Sequence, residues 1–164
     1  MLGIIGSVGF GVSLIIHVLT VLNIDVSSRV PYIWIIHPAV LLYSACAVLL
    51  LLRAGYPTRR LTLGILEDNL PRWVMLTDGL LFAYMFLNGA ICLFFTKGGN
   101  ADLVNGQYLL MGHARVIAHL SEREFHLQKA FELRMFSGAW LCFWAWSSSY
   151  FLFWKHVPVH HRPL

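Results

Sequence analysis

Four apolar runs, each close to twenty residues long, constrain this chain of 164 residues more than any other feature. The hydrocarbon core of a bilayer is about 30 Å thick, and roughly 20 residues of helix are needed to cross it. The runs are Leu2–Leu22, Tyr32–Leu52 (closed by Arg53), Trp73–Thr96 (with Asp78 as its one charge) and Met135–Trp154 (closed by Lys155 and His156). Charged residues make up only 12% of the chain and mean hydropathy is +0.67, against roughly 25% charged in a soluble domain. Too few charges remain to keep a soluble surface wet, which excludes a soluble enzyme, a disordered chain and a free nucleic-acid binder. The expected fold is all-α: one integral membrane domain over residues 1–164, a four-transmembrane-helix bundle with a short extramembrane hairpin and an extended final helix. The first run lacks a basic leader and an A-x-A cleavage site, so it is expected to stay as a helix.

Four spans place both termini on one side of the membrane. That side holds Arg53, Arg59, Arg60, Arg72, Lys155 and Arg162, and the other holds Arg29, Lys97, Arg115, Arg123, Lys129 and Arg134. The count is six against six, but the first set is the more compact and lies near span ends, where positive charge fixes orientation. The termini are therefore expected in the cytoplasm, with the protein in a bacterial inner membrane. The net charge of +4 then favours anionic lipid headgroups over nucleic acid as its attraction. Cys46, Cys92 and Cys142 each lie inside an apolar run without C-x-x-C spacing. They read as small packing residues, not a disulfide framework.

Small residues four apart let helices approach closely in lipid. Gly3, Ser7 and Gly11 show that spacing in the first run, and Gly79 and Ala83 in the third. The fourth run is instead crowded with aromatics, from Trp140 to Trp154, which read as packing residues.

The 97–134 loop is the one sizeable extramembrane segment. Lys97–Asp102 reads as a turn cluster. Tyr108–Met111, Gly112–Arg115 and Val116–Leu120 then read as strand, turn and strand. Ser121 and Glu124 have the spacing of a capping box, and no breaker follows before Ser137-Gly138, so one helix is expected from about Glu122 into the fourth run, bending near Gly138. A Gly-His turn, a Ser-x-x-Glu cap and Arg134-x-Phe-Ser-Gly-x-Trp140 leading into the last span resemble a family of small four-helix bacterial membrane proteins without assigned activity. The resemblance covers about Gln107–Phe143 and implies the architecture alone. Where that family has His between the Gly and the Trp, this chain has Ala139.

Ionisable groups inside spans are costly and point to function. His17 and His37 lie about six residues from the same end of adjoining antiparallel helices, hence at matching depth. Pro38 removes the donor that would reach the Trp34 carbonyl and is expected to kink the helix. Three readings follow. His17 and His37 could be the axial ligands of a b-type haem. They could join His113, His119, His126, Glu122 or Glu124 on a metal ion. Or each could hydrogen-bond a backbone carbonyl and hold helices together. Asp78 is expected to pair with Arg53 at the membrane edge; the alternative is a proton or cation relay with Asn88 and Ser147–Ser149. His156, His160 and His161 read as a solvated tail.

No nucleophile elbow, P-loop or kinase signature occurs, and Glu122 and Glu124 point apart on a helix, so no catalytic residue is assigned. The expected role is a non-catalytic structural or accessory component of a membrane complex, with the lipid bilayer and a homo-oligomer or larger assembly as partners. The alternatives are a b-type haem electron carrier and a metal- or ion-handling protein.

Overall fold

A computed structural model describes residues 1–53, 69–113 and 115–154 of the chain. Helix α1 covers Leu2–Val21 and stops where Asn23 takes a left-handed backbone (φ 62°). There the Ile24 amide donates to the Leu19 carbonyl at 3.0 Å, an end typical of helices closed by a left-handed residue. A 3₁₀ turn at Pro31–Ile35 leads into α2, Ile36–Arg53. Pro38 thus falls in the first turn of α2. A proline is tolerated in the first turn of a helix, and here that turn follows directly on the 3₁₀ turn. Helix α3 runs over Arg72–Thr96 behind Pro71 and ends on left-handed Lys97.

Helix α4 is the longest element, at 32 residues (Glu122–Phe153), or about 48 Å. It starts with the expected capping box: the Ser121 hydroxyl accepts from the Glu124 amide, and the Glu124 carboxylate accepts from the Ser121 amide at 2.8 Å. α1, α2 and α3 each pack chiefly against α4 and only slightly on one another. Trp140–Cys142 and Ser147–Ser149 are runs of three consecutive buried residues. Successive helical residues point about 100° apart, so such runs require neighbours all round. α4 is the enclosed axis of the bundle.

Enclosure separates the hydropathy of the helices. Among the described residues, three segments are long and apolar enough to cross a membrane: Leu2–Val21, Pro31–Arg53 and Arg72–Thr96. Their outer faces leave side chains such as Ile4, Leu42, Leu80 and Phe86 exposed, as a lipid-facing surface would. α4 does not reach the same apolarity, because its buried faces carry serines and tryptophans that meet other helices.

The small-residue contacts differ from the expected spacing. The face of α1 against α4 holds Gly3, Gly6 and Gly9, where a Cβ would meet Leu152, the Tyr43 and Ser148 oxygens, and the Trp144 ring, respectively. Gly11 and Gly79 face open space, and Gly79 and Ala83 are exposed. Spacing of four marks a stripe without saying which way the stripe turns.

The segment between α3 and α4 is a three-stranded antiparallel sheet, where a hairpin was expected: β1 Asn100–Val104, β2 Gln107–Gly112 and β3 Arg115–His119, in that order. The expected β2–β3 pairing is present, with a register shift between Leu110 and Met111. β1 replaces the later part of the expected turn cluster and joins β2 through Asn105 (φ 51°) and Gly106 (φ 78°). Two successive positive φ values make the tight turn that suits strand twist. The sheet lies on the first turns of α4, with Ala101, Leu109 and Leu110 buried and Tyr108 against the Phe125 ring.

Candidate functional site: a polar network between α1, α3 and α4

Gly138 sets the geometry of the site. A Cβ there would lie 2.5 Å from Asn88 Nδ2 and 3.4 Å from His17 Cε1, so the missing side chain lets α1 and α3 bring polar groups onto α4. His17 Nδ1 lies 2.9 Å from Ser137 Oγ, and His17 Nε2 lies 2.5 Å from Tyr84 Oη. The Ser137 hydroxyl also reaches the Arg134 carbonyl at 3.2 Å, which can only accept. A hydroxyl has one proton, so with it on that carbonyl, Nδ1 of neutral His17 donates to Ser137 and Nε2 accepts from Tyr84.

Asn88 extends the network. Its Nδ2 donates to the Arg134 carbonyl at 3.1 Å, and its Oδ1 accepts from Arg134 Nε at 2.9 Å. Cys92 Sγ lies 3.9 Å from the same oxygen. Asn88 and Ser137 are fully buried, and His17 is 4% exposed. A serine beside a histidine can be a nucleophile with its base. Here the hydroxyl is sealed from solvent, and the contacts of His17, Tyr84, Asn88 and Ser137 join α1, α3 and α4.

His37 has a different set of partners. Its Nδ1 accepts from Trp140 Nε1 at 3.0 Å, and its ring meets Phe136 edge-on. Both histidines thus hydrogen-bond side chains, where backbone carbonyls were one expectation. Both nitrogens of His17 are engaged, so the geometry does not present His17 and His37 as a free axial pair.

The loop histidines do not converge. His113 sits exposed at the β2–β3 turn with φ 49°, and His119 ends β3. His126 on α4 pairs through Nδ1 with Asp25 Oδ2 at 2.7 Å. Among the described residues no group of three His, Cys, Asp or Glu side chains could hold a metal ion, the set His113, His119 and His126 included. Burial works to raise the Asp25 carboxyl, but hydrogen bonds from His126, Ser28 and Ser27 outweigh it and hold the group below the usual range. Nearby, Glu132 accepts from the Ala101 amide and from Lys129 Nζ, fixing β1 to α4. Burial pushes this carboxyl up against those two partners.

Among the described residues, Arg53 and Asp78 form no ion pair with each other; the ion pairs are His126–Asp25 and Lys129–Glu132. The neighbour of Asp78 is Ser149 of α4. Ser147, Ser148 and Ser149 face different helices: Ser147 Oγ donates to Ser44 of α2 at 2.9 Å, Ser148 abuts Gly6 of α1, and Ser149 meets α3. The tail with His156, His160 and His161 lies outside the described residues.

Sequence reasoning did not find Tyr84, Ser137, Arg134 or Trp140 as partners. Tyr84, Asn88 and Cys92 are spaced by four, and that polar stripe in an apolar run was the available signal. The chain matches no family model, no curated protein and no solved structure.

Proposed function

We propose that this protein is a non-catalytic integral membrane component that acts by packing, as an accessory part of a membrane complex or of its own oligomer. All four long helices cross the bilayer in this reading. α4 crosses as the enclosed axis, and the termini share the cytoplasmic face of a bacterial inner membrane. The observation that carries the reading is a set of side-chain hydrogen bonds that join separate helices. His17, Tyr84, Ser137, Asn88 and Arg134 satisfy one another, as do His37 with Trp140 and Ser44 with Ser147. Buried polar groups in lipid are often functional; the groups named here have partners on neighbouring helices.

The test is a reduced-minus-oxidised optical spectrum and metal analysis of detergent-purified protein from haem-replete cells, with chemical cross-linking in the native membrane. The expected result is a colourless, metal-free protein that cross-links to itself or a fixed partner. A haem band lost in His37→Ala, or stoichiometric metal lost in His126→Ala, would overturn the reading. So would a monomer without cross-linked neighbours.

A further inference from the structure

We infer that Asp78 is the anchor of a binding site for a membrane-dissolved amphiphilic amine, which enters a lipid-facing cleft between α3 and α4. Three observations meet at this residue. Asp78 Oδ2 is buried and has no hydrogen-bond partner, although a carboxylate oxygen in an apolar setting needs a donor. The side chain also borders two hollows. One is a cleft of about 350 Å³ walled by Met75, Phe82, Met85, Phe143 and Trp146; the other is a crevice of about 260 Å³ that reaches Ser7 and Thr77. Finally, Gly79 lines the larger cleft with nothing within 4 Å of where its Cβ would be, so the residue beside Asp78 leaves the cleft open.

The walls specify the ligand. They are mostly aromatic and thioether groups around one acid, which suits an alkyl chain ending in one cation. Aromatic faces attract ammonium groups, and the unpartnered oxygen calls for an N–H donor, which favours a protonated amine over a quaternary ammonium. Asp78 lies six residues into α3, about 9 Å from its start, and the flanking Leu80 and Phe82 are exposed. Entry is therefore from the bilayer side near one interface. The amine could belong to a free alkylamine or to an aminophospholipid headgroup. This inference does not depend on the packing role above.

The test uses full-length protein in phosphatidylcholine nanodiscs, with tryptophan emission quenched by a bromine-bearing alkylamine and by the alcohol of equal chain length. The amine is expected to bind about tenfold more tightly than the alcohol, the margin that one charge-assisted hydrogen bond supplies. Asp78→Asn keeps the shape and should erase the margin. Gly79→Leu should weaken amine and alcohol together by filling the cleft, since nothing lies within 4 Å of the position its Cβ would take. Equal binding of amine and alcohol to the unaltered protein, or a margin that survives in Asp78→Asn, would overturn the site. If Asp78→Asn does not fold, undiminished binding in Gly79→Leu would overturn it alone. Competition by added phosphatidylethanolamine supports the site with a lipid headgroup as the ligand; no competition supports it with a free amine.

Discussion

His17 on the first helix and Ser137 on the last are 120 residues apart in sequence and joined by a 2.9 Å hydrogen bond. Tyr84 holds the opposite ring nitrogen, so one imidazole ties α1, α3 and α4 at a single depth.

Replacing this imidazole tests its role. His17→Phe keeps the ring and leaves Ser137 and Tyr84 without their partner. The expected loss is about 1–3 kcal/mol, the cost of stranding buried polar groups, at the lower end because interhelical hydrogen bonds in membranes average below 1 kcal/mol. In an SDS unfolding titration, a Ser137→Ala partner variant should show a non-additive cycle with it. Additive losses would mean that the contact is not an energetic link.

Gly138 offers a steric test of the same junction. In Gly138→Ala the new methyl would lie 2.5 Å from Asn88 Nδ2, so α3 must shift or Asn88 must leave Arg134. Overpacking of this kind costs about 1–3 kcal/mol. The same titration should register it, and Gly79→Ala, which faces open space, should change stability little.

The β1–β2 turn should tolerate little change at its second residue. Gly106 has φ 78°, a conformation that costs an L side chain roughly 1–2 kcal/mol. Gly106→Val should therefore speed amide exchange over Asn100–Met111 while leaving the helices protected. Uniformly protected β1 amides in the variant would contradict the assigned turn.

Local signals were legible where the chemistry is local. Ser121 and Glu124 satisfy each other's backbone within one turn, so their spacing alone located the start of α4. Asn105-Gly106 carried an equally local signal for β1, and reading Lys97–Asp102 as a turn obscured it. The partners of His17 and His37 were not legible, because which face of α4 each meets depends on the rotation of separate helices. Depth along a span follows from counting residues; azimuth does not. The same limit explains why Gly79 read as a packing residue although it borders a cleft, and why Arg53 was matched to Asp78, whose neighbour is Ser149 of α4.

The Asp25–His126 contact predicts a pH dependence. It links the α1–α2 connection to the first turns of α4 through a 2.7 Å bond. The Asp25 carboxyl is held below its ordinary range in the folded protein, so the unfolded chain takes up the proton first as pH falls. The stabilisation is therefore fully present above the ordinary aspartate value, about pH 4, and is lost as pH falls through the lower folded value. His126 is 46% exposed, so solvent screening limits the effect to about 1 kcal/mol. Thermal unfolding in detergent from pH 7 to pH 2.5 should show the unaltered protein and Asp25→Asn converging at the acid end. A constant gap across that range would remove Asp25 ionisation as the cause.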